Sequence, residues 1–291
     1  MFINYGYYRE IGLADLQAVR MQDHAKRYFS DLYGSYKMPL EINKIEMVYR
    51  YDDIASYLFD DKYNQKVCAK SDYLFFPSWG WVLDSNYAMP ELYLKNKFKW
   101  GGSILDIRDC GSLCAYYALH LMLTLYQNCQ MEISACCSIE CAFKSSIDFD
   151  NQLFPEINYV GLLSFSGYKN ARSDIEVIYC NLHSSNDKNA NYQTLILEKV
   201  NLIASRYHIA ENKYQILLRS VADDIHLSKN IEIISHPISS GFLYDIIDHI
   251  QKFSVTKHVE YMFIIDVDLT TQFYGVLLIK LGGKYVDIIA R

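Results

Sequence analysis

The chain has 291 residues, a formal net charge of -6 at pH 7, and a composition that is 51% hydrophobic and 21% charged. This balance is that of a globular protein with enough apolar material for a large core, and it excludes a disordered or collagen-like chain. No run of Lys or Arg offsets the acidic excess, so a nucleic-acid partner is disfavoured because phosphate binding needs a clustered positive field.

Targeting signals and metal-site patterns are not apparent. The first 16 residues have no basic segment followed by a long apolar stretch, so we expect no secretory signal. No stretch approaches 18 uninterrupted apolar residues, so we expect no membrane partner.

Eight cysteines without an export signal predict reduced thiols and a cytoplasmic protein. Cys136, Cys137 and Cys141 lack a zinc-type spacing, so we interpret them as small buried hydrophobic residues and expect no metal.

The first part of the chain alternates short apolar runs with helical patterns, which predicts an α/β fold. The predicted elements are, in chain order, a strand at 71–79, a helix at 89–98, a strand at 102–107, a helix at 113–126 and a strand at 131–143. The helix at 113–126 is apolar on nearly every face. Such a helix is typical of the middle of a large protein, so we expect it between two sheets.

The second part repeats this organisation. The predicted elements are an antiparallel strand pair at 159–165 and 174–182, a helix at 192–209, a strand at 230–236, an amphipathic helix at 240–253 and an apolar hairpin within 260–281. The order strand, turn, buried helix, strand therefore occurs around 103–143 and again around 231–281. Two similar halves that each bury a helix predict a pseudo-symmetric layered fold.

The segment DIRDCGSLCAYYALHLM, residues 106–122, places a polar turn directly before the apolar helix. It resembles the thiolase-fold condensing enzymes, especially the β-ketoacyl-ACP synthase III branch, in which a strand delivers a nucleophilic Cys to the start of a buried helix. Alignment by the helix puts Ser112 at the position of that Cys. Alignment by the strand, through Asp106, puts Gly111 there instead, and Cys110 lies upstream in both alignments.

Two further segments carry the same resemblance. SHPISSGFLYDIIDHI, residues 235–250, resembles the H-Q-A-N segment of the family, and His236 takes the place of the catalytic His. The segment 260–281 resembles the closing hairpin, and the likeness covers most of the chain after residue 70. The resemblance implies a thiolase-like α/β fold with a five-layered α-β-α-β-α arrangement, a first half at 1–150 and a shortened second half at 151–291.

Departures from the family pattern bear on the function. The gap between Ile250 and Tyr261 is too short for the loop that carries the family's catalytic Asn, and the glycine-rich turns are missing. This form resembles the degenerate partner subunit of the heterodimeric alkylquinolone-forming synthase. The resemblance implies a supporting subunit in specialised-metabolite biosynthesis, with a homologous synthase III-like partner or a homodimer. Because family dimers pair edge strands beside the nucleophile, 131–143 is the predicted interface.

Other functions stay open for the same residues. Ser112 with His236 as its base would suit acyl transfer from acyl-CoA or a phosphopantetheinylated acyl carrier protein, with no bound cofactor. The same residues also have structural interpretations. Ser112 fits a helix-capping role, which we favour over catalysis, and His236 fits the end of a strand before Pro237. Cys110 is interpreted as a buried thiol in a turn rather than as the nucleophile. A non-enzymatic acyl-binding module is the third alternative.

Four more polar residues have structural interpretations. We expect His120, on the apolar helix, to be a hydrogen-bonded core histidine. Asp266 and Asp268 alternate near the end of a strand, and we expect them to cap the following turn rather than bind metal. Glu140 is expected to pair within the sheet or at a dimer interface.

Overall fold

In a computed structural model of the protein, the described part of the chain comprises residues 1–15, 18–20, 22–24, 26–27, 30–31, 47–49, 55–77, 90–107, 113–129, 133–142, 158–169, 175–185, 191–219, 231–234, 242–253, 259–268, 272–282 and 287–290. No helix of this part is long and apolar enough to cross a membrane.

The predicted helices and strands occur in the predicted order, whereas the elements before residue 71, the strand at 214–219 and the strand at 287–290 were not predicted. The α-helices are α1 (Lys62–Ala69), α2 (Pro90–Phe98), α3 (Cys114–Asn128), α4 (Tyr192–Arg206) and α5 (Phe242–Phe253). The strands are β1 (Phe2–Glu10), β2 (Ala18–Arg20), β3 (Met47–Tyr49), β4 (Tyr73–Pro77), β5 (Ser103–Ile107), β6 (Cys136–Ala142), β7 (Tyr159–Ser166), β8 (Glu176–Ser184), β9 (Tyr214–Arg219), β10 (Ile231–Ile234), β11 (Tyr261–Asp268), β12 (Phe273–Lys280) and β13 (Asp287–Ala290).

Polar side chains mark the starts of two helices on the outside of the molecule. Asp61 precedes α1 and accepts a hydrogen bond from the main-chain N of Tyr63 at 2.7 Å. Asn191 precedes α4 and accepts from the main-chain N of Thr194 at 3.3 Å. Each cap satisfies a main-chain donor that the helix itself leaves without a partner.

The strands form two sets with the same topology. In the first set the order is β5-β4-β6-β7-β1, and in the second it is β10-β9-β11-β12-β8. In each set the first three strands of that order are parallel and the next two pairings are antiparallel. One bridge between Phe2 and Glu176 joins the sets edge to edge, and β13 pairs with β1. The predicted pseudo-symmetry is therefore present in the strand order.

The apolar side chains form three clusters that define the layers. The central cluster contains residues of α3 and α5 together with side chains from both sets of strands. A second cluster lies under α1 and α2 on the other face of the first set, and a third lies under α4 on the other face of the second set. This is the predicted five-layered α-β-α-β-α arrangement, with α3 and α5 in the middle layer.

Two predictions about strand partners are wrong. The strands at 159–166 and 176–184 do not pair with each other, because β7 lies between β1 and β6 whereas β8 pairs with β12. The strand within 131–143 is not an edge, because β6 pairs with β4 on one side and β7 on the other. Along the chain, the last long strand before the second set is β7, which ends at Ser166, and the second set begins with β8 at Glu176.

Candidate functional site

The three candidate catalytic residues, Cys110, Ser112 and His236, lie outside the described residues, as does Gly111. The elements that flank them are described. Strand β5 ends at Ile107 and α3 begins at Cys114, while β10 ends at Ile234 and α5 begins at Phe242. The chemistry assigned to these candidates therefore stays a prediction. The described site consists of the starts of α3 and α5 and the side chains around them.

The starts of α3 and α5 lie side by side in the middle layer. The rings of Tyr116 on α3 and Phe242 on α5 have centroids 4.4 Å apart. Each helix start also packs against a glycine of a neighbouring strand. A Cβ added to Gly275 would lie 2.5 Å from Cδ1 of Tyr116, and a Cβ added to Gly161 would lie 3.3 Å from Cβ of Leu243.

Strand register shows that these contacts are equivalent in the two halves. Glu140 on β6 is opposite Gly161 on β7, and Asp266 on β11 is opposite Gly275 on β12. Each half thus places one carboxylate opposite one glycine on corresponding strands. In the strand order, α5 follows β10 and precedes β11 as α3 follows β5 and precedes β6, so the two helices are pseudo-symmetric counterparts.

Glu140 binds the start of α5 from the opposite half. Its carboxylate accepts hydrogen bonds from the main-chain N of Leu243 at 2.7 Å and of Phe242 at 3.3 Å, and its residue is only 2% exposed. Burial raises the pKa of Glu140, although donors at Leu243 and Tyr159 act in the opposite direction. Its contact with Tyr159 is the within-sheet pairing that we predicted, whereas its main-chain partners on α5 were missed.

A buried ion cluster lies next to this cap. Arg219, at the end of β9, is 0% exposed. Its Nε lies 2.6 Å from Oδ2 of Asp245, and its Nη1 donates to Oδ2 of Asp266 at 2.9 Å. Burial alone would lower the pKa of Arg219, but the two carboxylates outweigh it and raise the pKa. The guanidinium also lies over the Phe242 ring, 5.4 Å from its centroid.

The predicted role of Asp266 as a turn cap is therefore wrong, because its carboxylate faces inward and pairs with Arg219. Asp268, on the same face of the strand, is also buried. Sequence reasoning missed Arg219 and Asp245 altogether. The only sequence signal for Arg219 is its position at the end of the apolar run YQILLR. A single Arg at such a position is typical of an ordinary strand end.

The Tyr116 hydroxyl borders the ion cluster. Tyr116 is 0% exposed, and its hydroxyl has no hydrogen-bond partner among the described residues. Burial and the negative charge of Asp266 raise the pKa of Tyr116. At the start of α3 itself, the preceding residue is Leu113, whose side chain makes no capping hydrogen bond. The described site is thus polar, enclosed and already rich in internal ion pairs.

Other predicted residues fall outside this site. The Nδ1 of His120 lies 2.8 Å from the carbonyl O of Cys180, which confirms the prediction of a hydrogen-bonded core histidine. Cys136, Cys137 and Cys141 are each 0% exposed, as the interpretation as buried residues requires. In the described ranges, no group of three or more His, Cys, Asp or Glu side chains is arranged to hold a metal ion.

Comparison with known proteins gives structural likeness only. The sequence matches no family model, and a search of curated proteins returns no significant relative. The structure is similar to that of ChlB3, described as an acyltransferase, with a TM-score of 0.63 at 9% identity over 97% of this chain and 98% of that one. It is also similar to AbyA1, described as a tetronic acid condensing enzyme, with a TM-score of 0.60 at 8% identity over 96% and 99%.

A third similar structure is 3-oxoacyl-[acyl-carrier-protein] synthase III from Aquifex aeolicus, with a TM-score of 0.59 at 8% identity, covering 96% of this chain and 99% of that chain. These matches span nearly the whole length of both chains, so they concern the complete arrangement of two halves rather than one shared motif. The chain therefore has the thiolase-like fold found in synthase III and related condensing enzymes.

Proposed function

We propose that the chain is a synthase III-like subunit that supports a catalytic homologue in a heterodimer, in the biosynthesis of a polyketide or fatty-acid-derived specialised metabolite. The observation that carries the proposal is the thiolase-like fold, which is similar to a solved structure over 97% of this chain. The sequence resemblance adds the prediction that Ser112 or Gly111, rather than Cys, stands at the nucleophile position. Similar structures are described as an acyltransferase and a condensing enzyme, so the partner would use acyl groups carried on CoA or an acyl carrier protein.

The polar chemistry around α5 supports a non-catalytic role. Catalysis of acyl transfer needs hydrogen-bond donors that are free to bind a developing oxyanion, and main-chain N–H groups at a helix start are one common source of them. Here the N–H groups of Phe242 and Leu243 already donate to the Glu140 carboxylate. An incoming anion would have to displace the buried carboxyl group of Glu140 from that position. The start of α5 is therefore better suited to holding the two halves together than to catalysis.

The open edge of the first strand set supports assembly with a homologue. Among the described strands, β5 pairs only with β4, and it is the last described element before Ser112 in the chain. Its side chains Ile104, Leu105 and Ile107 are half-buried. The adjacent helix α3 exposes 40% of Leu121. Pairing of β5 with the same strand of a homologue would satisfy its open main-chain groups.

A proline variant tests this edge. Because the main-chain N of Ser103 donates to Asp72 on the β4 side, the N–H of the next residue, Ile104, points to the open side. We expect Ile104→Pro to abolish dimer formation in size-exclusion chromatography with light scattering while the monomer stays folded. The matched variant Leu105→Pro removes a donor toward β4, and we expect it to lower the stability of the monomer itself.

The decisive experiment combines assembly and acylation. The chain is co-expressed with a synthase III homologue of the same genome that keeps the catalytic Cys and His, and the complex is isolated and tested for condensation. We expect an equimolar complex, a catalytic rate that exceeds that of the homologue alone, and no acyl adduct on this chain by intact-mass spectrometry. A stable monomer that neither binds the homologue nor alters its rate would refute the proposal.

A second function is favoured by one observation, namely that the helix after Ser112 and the helix after His236 begin in contact with each other. Such convergence suits an acyltransferase in which His236 removes the proton of Ser112. Incubation with acyl-CoA or an acyl carrier protein would then give an adduct of the acyl mass that Ser112→Ala abolishes. An acyl ligand retained without any covalent adduct would instead favour an acyl-binding module.

A further inference from the structure

A polar cavity lies where α1, α2 and α3 end, beside the first residues of β4 and β5. It has a volume of about 460 Å³, which is within the range of small-molecule sites. Its wall residues Lys70, Gly101 and Ser103 are exposed, so the cavity opens to solvent. The wall residues Ser71 and Ile133 are 4% and 5% exposed and lie at its inner end.

Helix α3 separates this cavity from the candidate functional site. Cys129, the residue that follows α3, is in the cavity wall, whereas the candidate site lies at the start of the same helix. Because each helical residue adds about 1.5 Å of length, the 15 residues of α3 place its start about 20 Å from the cavity. A ligand in the cavity is therefore remote from the starts of α3 and α5.

Three lysines belong to the segments that form the cavity, although the whole chain has a formal net charge of -6. Lys70 is in the wall, and Nζ of Lys95 donates to the carbonyl O of the wall residue Gly102 at 2.8 Å. Lys99 is exposed and precedes the wall residue Gly101 by two positions. Among the described residues, neither Lys70 nor Lys99 has a carboxylate partner.

The acceptor groups near the cavity are already engaged. Asp72 is in the wall, but its Oδ2 accepts hydrogen bonds from the main-chain N and the hydroxyl of Ser134 at 2.7 and 2.9 Å and from the main-chain N of Ala135 at 3.1 Å. Carbonyl groups near the ends of the three helices also accept main-chain hydrogen bonds, at Cys68, Lys95 and Leu125. The three lysines outnumber the one carboxylate, so a solute meets a positive excess.

We propose that this cavity is a binding site for the phosphate group of a small, soluble phosphate monoester. Such a group carries between one and two negative charges near neutral pH, which suits several ammonium groups better than a single carboxylate would. Lysine binds phosphate as a point charge and needs no fixed orientation. Lys70 and Lys99 bind the phosphate, and the organic part of the ligand lies against the apolar wall residues Tyr73 and Ile133.

The test is an NMR titration of the isotope-labelled full-length protein with glycerol 3-phosphate, inorganic phosphate and glycerol. We expect saturable shifts of the amide signals of the wall residues with glycerol 3-phosphate, weaker binding of inorganic phosphate, and no shifts with glycerol. Lys70→Gln and Lys99→Gln should each weaken binding about fivefold, as expected for the loss of one partly exposed ion pair. The matched control Lys62→Gln, at the other end of α1, should bind as the wild type does.

A variant without a change of charge tests the position of the site. A Cβ added to Gly101 would meet no atom within 4 Å, so Gly101→Leu should fold with an unchanged thermal midpoint. Because Gly101 is in the wall, the new side chain should occupy part of the cavity and weaken binding of glycerol 3-phosphate.

The proposal is overturned if glycerol 3-phosphate causes no saturable shifts, if the shifts lie away from the wall, or if Lys70→Gln, Lys99→Gln and Gly101→Leu all bind like the wild type. Sedimentation with phosphatidic acid vesicles that is lost in Lys70→Gln would also overturn it, because the lysines would then bind a lipid headgroup. These outcomes do not depend on heterodimer formation or acylation, so they are separate from those that test the proposed function.

Discussion

The Glu140 carboxylate accepts a hydrogen bond of 2.7 Å from the main-chain N of Leu243, although the two residues belong to different halves of the fold. Glu140 lies on β6 of the first strand set, and Leu243 lies in the first turn of α5, whose neighbours in the chain belong to the second set. A negative charge at a helix start is favourable because the N–H dipoles converge there. This single side chain therefore connects the halves at the centre of the molecule.

Removal of this cap should destabilise the protein. In Glu140→Ala, the N–H groups of Phe242 and Leu243 lose their buried acceptor, and we expect a loss of about 2 to 4 kcal/mol in the free energy of unfolding. Glu140→Gln keeps one acceptor oxygen and should lose less. Urea unfolding measures both, with Glu198→Ala on the exposed face of α4 as the control, for which a change within about 0.5 kcal/mol is expected. Equal losses at 140 and 198 would contradict the capping role.

The charge cluster gives a second prediction. In Arg219→Met, Asp245 and Asp266 remain buried without their cation, so we expect a loss of about 3 to 5 kcal/mol. Adding Asp245→Asn and Asp266→Asn to that variant should recover part of the loss, because the unpaired negative charges are removed. Urea unfolding of the single and triple variants provides the comparison.

An exposed ion pair serves as the control for this experiment. Arg9 lies 3.3 Å from Asp60, and their side chains are 34% and 67% exposed. Arg9→Met should cost no more than about 1 kcal/mol, because solvent screens the charges. A loss in Arg219→Met as small as that in Arg9→Met would show that the buried cluster is dispensable.

The sequence allowed the order of elements and the layering to be predicted, because periodicity is a local signal. The apolar helix at 114–128 and the strands before and after it were all identified from their patterns. An apolar strand such as β7, however, has seven buried positions that fit several neighbours equally well. Its pairing with β1 depends on residues far away in the chain, so the expected hairpin with β8 was wrong.

The polar centre was difficult to predict for the same reason. Arg219, Asp245 and Asp266 come from a strand end, a helix and another strand, and nothing in their local sequence indicates that they meet. The role of Glu140 likewise depends on α5, which lies much later in the chain. Long-range packing between the two halves determines these contacts, whereas local patterns determine only the elements that carry them.

Close packing at Gly275 gives a third prediction. A Cβ at this position would lie 2.5 Å from the Tyr116 ring, so Gly275→Ala should cost about 1 to 3 kcal/mol through overpacking. The equivalent variant Gly161→Ala places its Cβ 3.3 Å from Leu243 and should cost less. Combining Gly275→Ala with Tyr116→Leu should give a smaller loss than the sum of the single variants in urea unfolding. Strict additivity would show that the two sites do not interact.

His183 gives a prediction about pH. Burial and the nearby positive charge of Lys199 lower its pKa from 6.5 to about 4 in the folded protein. The hydroxyl of Tyr179 lies 3.0 Å from its Nε2, where a neutral ring can accept a hydrogen bond. Between pH 6.5 and about 4, the unfolded chain binds a proton at His183 that the folded chain does not. The free energy of unfolding should therefore fall across this window as the pH falls, and this contribution should level off below it.

The measurement for His183 is the titration of its ring protons by NMR, assigned with His183→Gln. We expect a midpoint near pH 4 in the wild-type protein. Lys199→Gln removes the neighbouring positive charge and should move the midpoint upward, because one of the two causes of the shift is lost while burial remains. In urea unfolding, His183→Gln should be less sensitive than wild type to acid across the same window. A wild-type midpoint near 6.5 would mean that the ring is solvated as in an unfolded chain, and that the contact with Tyr179 does not persist in solution.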